Sequence, residues 1–417
     1  MSPWSASAPG RRVVSAAHRV RAMGPRETAQ RVAARLYRRT GAAALDFPLL
    51  PDDVVDPEEA ARAVPASPPP AGRPLTVGWL TVPPGLRSGG HTTMFRMVEA
   101  LEQAGHRCVL YLYDRHGGDL AQRAAVVRRG WPGVRAEVRD VADGITGVDA
   151  CIATSWQSAH VLARRGVAPM RRLYLVQDYE PYFYPHGAQH ALAEDSYRLG
   201  LHALALGEMV GGHLRALGAE VDVVPFGCDT TVYRSPGATP RHGVVLYAKP
   251  DVARRGYDLA RLALERFHRQ HPEQEIHVYG DPARDLRVPV THHGGLAPEA
   301  LNALYGSTVA GLALSFTNIS LVAEEMLAAG TLPVVNDAPD ARADLPNPHV
   351  LWAAPTPGAV AAALSAAVEH PNPVGRAAVV AASVAGRSWR DAQDRLVRLV
   401  EEHVRGTVAA RPAEGEG

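Results

Sequence analysis

SFTNISLVAEEMLAAGTLPVVND, residues 315–337, is the stretch whose reading decides the fold. The apolar run just before it (Val309, Ala310, Leu312, Ala313, Leu314) suits a buried parallel strand. Thr317, Asn318 and Ser320 are good helix N-cap residues, Leu321 to Ala329 suits a helix, Gly330 is placed to end it, and Leu332 to Val335 starts another strand. A polar turn leading from the carboxyl end of a parallel strand into a helix presents free N–H groups and a positive dipole end, which together form an anion site. Glu325, one turn into the helix, suits sugar hydroxyls better than phosphate. An ordinary βαβ crossover in which Ser320 only caps a helix fits the local sequence equally well.

Outward from this stretch, strand and helix patterns alternate. The predicted strands before it are 75–82, 108–114, 149–154, 172–177, 202–207 and 221–227, and then, past Ser235-Pro236-Gly237, 244–250, 275–281 and 291–296. The last strand, 349–355, comes after it. Helices are expected from about His91 to Gln103, from about Arg255 to Gln270, and from Pro298 to Tyr305. This is an α/β chain of two doubly wound parallel sheets facing a cleft, with ligands expected at the carboxyl ends of the strands. The expected divisions are 1–74 (a basic helical extension and a Pro-rich linker), 75–237, 238–404, and a disordered tail, 405–417.

The chain of 417 residues carries a net charge of +1, which argues against a nucleic-acid binder, and its 46% hydrophobic content is enough for full cores. Cys108, Cys151 and Cys228 are widely spaced and lack metal-ligand spacing, so a reducing, cytoplasmic compartment and no disulfide framework are expected. No apolar run is long enough to span a membrane, and the N-terminus lacks the apolar core of a signal peptide. The arginine-rich helix expected at Glu27–Arg39 fits either an anionic membrane surface, placing the protein at the inner face of the membrane, or a solvated helix packed on the next domain.

Lys249 is the only lysine among 44 basic residues. It ends a predicted strand, and Arg254 and Arg255 open the next helix. Three cations beside a helix start make a diphosphate pocket if the Ser320 turn lies nearby; a solvated basic loop is the plainer alternative. No Walker sequence is present, and no G-x-G-x-x-G follows the first strand, so neither a P-loop NTPase nor a nicotinamide dehydrogenase is supported. No Asp-x-Asp occurs, and His292 and His293 point to opposite faces of their strand, so no metal is expected in the cleft. Gly89 and Gly90 imply a tight turn or a close backbone approach. The stretch VQDYEPYFYP (176–185) sets Tyr179, Tyr182, Phe183 and Tyr184 beside Asp178 and Glu180. It suits a sugar platform and, equally, a packed seam between domains.

Residues 75–404 resemble the GT-B nucleotide-sugar glycosyltransferases of family 4. The resemblance rests on Ser88-Gly89-Gly90-His91, Gly227-Cys228-Asp229, Lys249 with Arg254 or Arg255 before Gly256, Gly294-Gly295-Leu296-Ala297-Pro298-Glu299-Ala300-Leu301, Glu325 and Trp389. The combination of GGHTT, VQDYEPYFYP and LSFTNISL is most similar to bacterial rhamnosyltransferases of cell-surface and S-layer glycans. The resemblance implies a retaining, metal-independent transferase that uses a nucleotide sugar, with dTDP-rhamnose as donor, and a saccharide, glycolipid or other hydroxyl acceptor. It puts Ser320 and Leu321 at the distal phosphate, Glu325 at the ribose, and Gly294 and Leu296 in the nucleotide site. Lys249 and Arg255 would stabilise the leaving diphosphate, and His91 or Asp178 would orient the acceptor. The family commonly has a glutamate eight positions before the one at Glu325; Thr317 stands there instead, which suits a deoxysugar, and Asn318 is placed to substitute. A pyridoxal-phosphate phosphorylase using Lys249 and a catalytically silent saccharide-binding scaffold both stay open.

Overall fold

The computed structural model describes residues 47–60, 67–86, 88–319 and 321–406. The basic helix expected at Glu27–Arg39, the tail beyond 406 and Ser320 lie outside them. The chain divides into two units, Met1–Asp52 and Asp53–Gly417, and the second holds every strand of the fold.

Two parallel sheets organise this unit. The first contains β1 (Thr76–Thr81), β2 (Arg107–Leu112), β3 (Glu137–Asp140), β4 (Ala150–Ala153), β5 (Arg171–Val176), β6 (His202–Leu206) and β7 (Val221–Val224), in the order β3-β2-β1-β4-β5-β6-β7. The second contains β8 (Val244–Ala248), β9 (Ile276–Gly280), β10 (Thr291–Gly294), β11 (Ala310–Leu312), β12 (Leu332–Asn336) and β13 (Leu351–Ala353), in the order β10-β9-β8-β11-β12-β13. The central strands β1, β4, β8, β11 and β12 are buried at all or all but one of their positions, as a sheet covered on both faces requires. β3 is absent from the sequence expectations because EVRD is a polar edge strand with no apolar run to betray it.

The order reverses between β1 and β4 and again between β8 and β11. A crevice forms at each switch point, outside the carboxyl ends of the strands. In the first sheet, α1 (Gly89–Gln103) follows β1, α2 (Leu120–Gly130) follows β2, α3 (Trp156–Arg165) follows β4, and α4 (Ala188–Asp195) and α5 (Glu208–Ala216) flank β6. In the second, α6 (Tyr257–Gln270), α7 (Pro298–Ser307), α8 (Leu321–Ala328), α9 (Pro339–Asp344), α10 (Pro357–Val368) and α11 (Pro373–Ala382) connect and cover the strands. The helix α8 ends as the sequence predicts: Gly330 takes a left-handed φ of 81°, and the buried Arg241 donates to the Ala329 carbonyl at 2.5 Å.

The last helix, α12 (Trp389–Arg405), departs from the expected 238–404 division. Its buried positions, Trp389, Ala392, Leu396, Leu399, Val400 and Val404, recur at helical spacing, and the helix packs on α1 and β7 of the first sheet. Its polar contacts lie there too: Gln393 donates to the Arg96 carbonyl at 2.9 Å, and Glu401 meets His106 at 3.1 Å. The sequence identifies a final helix but not the face that receives it.

Gly227 makes this crossing possible. A Cβ at that position would lie 2.6 Å from Trp389 Cα and 2.7 Å from the Ser388 carbonyl oxygen, both backbone atoms that cannot rotate away. The Gly227-Cys228-Asp229 motif and the tail tryptophan therefore meet at one joint, where Arg96 also contacts Asp229 at 3.4 Å and lies 5.3 Å from the Trp389 ring centroid. Gly227→Ala should destabilise the fold by roughly 1–3 kcal/mol through overpacking. Gly212→Ala, at a helical glycine with open space around it, should be stabilising by about 0.5–1 kcal/mol. Urea unfolding midpoints for the two variants check the difference, and equal midpoints would contradict the close approach.

Candidate functional site

The loops at the two switch points enclose a cleft of about 760 Å³. From the second sheet come Lys249 after β8, Arg254 and Arg255 in the turn before α6, Gly280 and Asp281 after β9, and Asn318, Ile319, Leu321 and Glu325 around the start of α8. From the first come Gly89, Gly90 and His91 at the start of α1, Thr154 and Ser155 after β4, and Gln177, Asp178 and Phe183 after β5.

The two loops that sequence reading paired do meet. The Phe316 N–H donates to the Arg254 carbonyl at 2.8 Å, and Arg255 Nη1 donates to Ser315 Oγ at 3.0 Å. Asn336 at the end of β12 fixes the start of the turn, donating to the Ser315 carbonyl and accepting its N–H, both at 2.8 Å. Gly256 lets the basic turn lie this close. Its φ of 63° suits glycine, and a Cβ there would meet Phe316 Cε2 at 2.8 Å. Lys249 Nζ lies 3.0 Å from Asp281 Oδ2 and 5.6 Å from the Tyr247 ring centroid. Its ammonium is therefore held at the cleft wall by a half-exposed carboxylate that an incoming anion can displace.

Asp178 joins the two sheets. It is buried and accepts from Thr317 Oγ1 at 3.0 Å and from the Asn318 N–H at 3.1 Å. Asn318 Nδ2 donates to the Gln177 carbonyl at 2.6 Å. Arg254 lies 3.8 Å from the same carboxylate and sits over the Phe183 ring, 4.2 Å from its centroid. Burial pushes the Asp178 carboxyl above its ordinary value, although the Asn318 N–H and the two arginines pull it down.

These contacts change several expectations. Thr317 and Asn318 do not cap α8; their side chains reach across to the other sheet. Thr317 is not among the lining residues of the cleft, and neither is Gly294, whose neighbour Gly295 is. Both Asp178 oxygens are already engaged, and the His91 ring has partners too, Ser88 Oγ and the Val82 carbonyl. Burial lowers the His91 pKa, and Ser88 Oγ lies 2.7 Å from its Nδ1, so the ring is held neutral near pH 7. Gly89 and Gly90 form the first turn of α1, capped by Ser88, rather than a loop. The aromatic stretch is divided: Tyr182 and Phe183 are exposed, and Tyr179 and Tyr184 are packed. Tyr179 is buried against Tyr197 and His213, Tyr184 accepts from Trp156 Nε1 at 3.0 Å, and Glu180 accepts from the Trp156 N–H at 2.9 Å. Burial raises the Glu180 carboxyl to about 8, and Phe183 alone of the four aromatics lines the cleft.

Glu325 also lines the cleft, and burial pushes its carboxyl up to about 7 despite the pull of Arg96. Sequence reading missed Tyr247 and Tyr279, which stack in the same wall with ring centroids 5.0 Å apart. A signal exists for the first of them: Tyr247 lies two residues before Lys249, hence on the same face of its strand. Within an apolar strand end, a tyrosine reads as core unless that register is counted.

The WsaF C-terminal domain family model matches residues 242–365, and the WsaF N-terminal domain model matches residues 140–208. The O-antigen biosynthesis protein RfbC of Myxococcus xanthus is 32% identical over 366 residues, 84% of this chain. The chain spans 28% of that relative's length. Among solved structures, an S. aureus TarM variant in complex with fondaparinux, alpha-GlcNAc-glycerol and UDP superposes with a TM-score of 0.63 at 7% identity, covering 78% of this chain and 99% of that one. Sucrose-phosphate synthase from Thermosynechococcus elongatus gives 0.56 at 15% identity, covering 79% and 98%. Anabaena HepE in complex with UDP and glucose gives 0.54 at 14%, covering 80% and 99%. The fold is GT-B. These identities speak for the fold alone.

The Asp178 junction is testable without a ligand. Asp178→Ala leaves the Asn318 N–H and Arg254 without their partner and should cost about 1–3 kcal/mol. It should also open the cleft, read as a larger radius of gyration by small-angle scattering. An unchanged radius and unchanged stability would contradict the joining role.

Proposed function

We propose that this protein is a nucleotide-sugar glycosyltransferase of surface-polysaccharide assembly that retains anomeric configuration and needs no metal ion in its cleft. The donor we favour is dTDP-L-rhamnose, and the acceptor a saccharide or glycolipid hydroxyl. The observation that carries this reading is the junction of Lys249, Arg254 and Arg255 with the 315–319 turn at the switch point of the second sheet, opposite His91 across one cleft. Fixed cations beside a helix start suit a leaving diphosphate, whose charge grows as the glycosidic bond breaks. The structural neighbours solved with UDP and the relative named for O-antigen biosynthesis support the substrate class and the setting.

Within this reading Lys249 and Arg255 stabilise the departing phosphates, and Arg254 holds the turn to Asp178. Leu321 offers its backbone amide to the distal phosphate, Glu325 accepts from the 3′-hydroxyl of the dTDP deoxyribose, and Tyr247, Tyr279 and Leu296 supply flat and apolar surface for the base. The neutral His91 orients the acceptor hydroxyl oxygen, and the leaving phosphate oxygen takes that hydroxyl's single proton. Rhamnose is favoured on two grounds beyond the sequence resemblance. Thr317 brings no carboxylate for sugar hydroxyls and is spent on Asp178. Ile319, Leu321 and Val322 line the turn with apolar surface that suits a deoxysugar methyl group.

Lys249→Met should lower transfer by about 100-fold or more with the fold intact by circular dichroism. A panel of nucleotide sugars, scored for transfer with and without magnesium, identifies the donor. Turnover unchanged in the variant would contradict the phosphate role, and nucleoside diphosphate affinity without turnover of any donor would contradict catalysis. Glu325 adds a pH signature. With its carboxyl near 7 in the free protein and the deoxyribose 3′-hydroxyl selecting the ionised form, nucleotide affinity should rise with pH. The ionised fraction goes from about 10% at pH 6 to about 90% at pH 8, so binding should tighten about tenfold by calorimetry. Glu325→Gln should flatten that dependence, and a flat wild-type profile would contradict the deoxyribose role.

A further inference from the structure

The amino ends of β6 and β7, on the side of the first sheet away from the cleft, carry a second group of convergent side chains. His202 opens β6, Asp222 is the second residue of β7, and His403 comes from the last turn of α12. Leu206, at the other end of β6, lines the cleft, so the group lies about 13 Å of strand away from it at about 3.3 Å per residue.

The Nε2 atoms of His202 and His403 each lie 2.9 Å from the same oxygen, Asp222 Oδ2, and the three ligand atoms lie within 4.8 Å of one another. The imidazole centroids are 3.8 Å apart. The same geometry serves hydrogen bonding or metal ligation, according to which ring nitrogens carry protons. Two neutral rings each donating through Nε2 would leave His202 Nδ1 a bare acceptor facing Glu220 Oε2, 3.5 Å away. Two protonated rings would stack like charges, with Arg395 only 3.5 Å from Asp222 Oδ1. Neutral rings with both Nε2 lone pairs directed inward avoid both conflicts, because His202 Nδ1–H then donates to Glu220. That is the carboxylate–histidine arrangement that orients metal-binding imidazoles. Arg395 engages the other Asp222 oxygen and leaves Oδ2 as a single ligand atom.

We propose that His202, Asp222 and His403 form a binding site for a divalent transition cation, Zn2+ in the first instance, that staples the C-terminal helix α12 to the first sheet. Two imidazole nitrogens and one carboxylate oxygen suit Zn2+, and bond lengths of about 2.0–2.2 Å put tetrahedral ligand atoms roughly 3.3 Å apart, close to the spacing seen. The three side chains are each 13–21% exposed, which leaves room for water in the fourth position. The site is structural: it acts on α12, the one helix that crosses back, and takes no part in the cleft.

The test uses the full chain, stripped of metal and titrated with Zn2+ and, separately, Co2+. One equivalent of Zn2+ should bind and raise Tm by several degrees, and Co2+ should develop the visible d–d bands of a tetrahedral site. His202→Gln and His403→Gln, separately and together, should weaken Zn2+ binding by more than about 100-fold and abolish the cobalt spectrum, while circular dichroism and sugar transfer stay as in the wild type. His202→Gln alters a strand end rather than the helix, so it keeps the test valid if the His403 variant loosens α12. No stoichiometric binding in the wild type, or binding and a cobalt spectrum that survive in the double variant, would overturn the proposal.

Discussion

The contact on which the rest of the cleft depends is the buried Asp178 carboxylate, which takes hydrogen bonds from Thr317 and Asn318 of the opposite domain. It fixes one loop of each sheet against the other. The Phe316 N–H on the Arg254 carbonyl then carries the constraint into the basic turn, and Arg255 on Ser315 carries it further. A cluster of three cations would repel itself in an empty cleft. Here Asp178 offsets Arg254, Asp281 holds Lys249, and Ser315 orients Arg255. The site is charged in advance and its geometry is set before any anion arrives, which is the condition under which fixed cations stabilise a developing charge most.

That preparation has an electrostatic cost. Asp178, Glu180 and Glu325 all have carboxyl pKa values raised by burial. A carboxyl whose folded pKa exceeds its unfolded value favours the folded state below its folded pKa and loses that contribution as pH rises through it. For Glu180 and Glu325 the loss starts near the ordinary value of 4.5 and is complete by about pH 8 and about pH 7 respectively. Functional sites commonly carry such local conflicts, compensated elsewhere in the fold. In this chain the compensation includes the two well-filled sheets and the helix α12, which ties the end of the polypeptide back to the first domain.

Much of the fold was legible in the sequence because parallel strands buried on both faces read as apolar runs, and glycines mark where helices stop. Gly330 ends α8 at the position its sequence implied. The failures share a cause: they concern partners that local pattern does not encode. The polar edge strand EVRD has no apolar periodicity. The stripe Trp389, Leu396, Val400 announces a buried face but not which sheet buries it. Thr317 and Asn318 have the chemistry of helix caps, and only the tertiary structure turns them towards Asp178. At the site, the strand-end rule pointed to loops of which the structure gathers Lys249, Arg254, Arg255, His91, Leu296, Leu321 and Glu325 around one cleft, while residues 227–229 and Gly294 do not line it. The rule could not tell which side chains face inward: of the sugar platform and the packed seam that residues 176–185 suit equally, Tyr179 takes the packed role while Glu180 and Phe183 line the cleft, and Tyr247 reads as core within its apolar strand end.

On the proposed diphosphate reading of the cleft, the second phosphate must bind with a gain of its own. Calorimetric titration of the full chain with dTDP, dTMP and thymidine under one set of conditions, with Arg255→Ala alongside, measures that gain. Affinity should rise steeply from nucleoside to diphosphate, by at least about tenfold for the second phosphate, and this increment should shrink in the variant. Equal affinities for the three ligands, or an increment untouched by loss of Arg255, would contradict the diphosphate site.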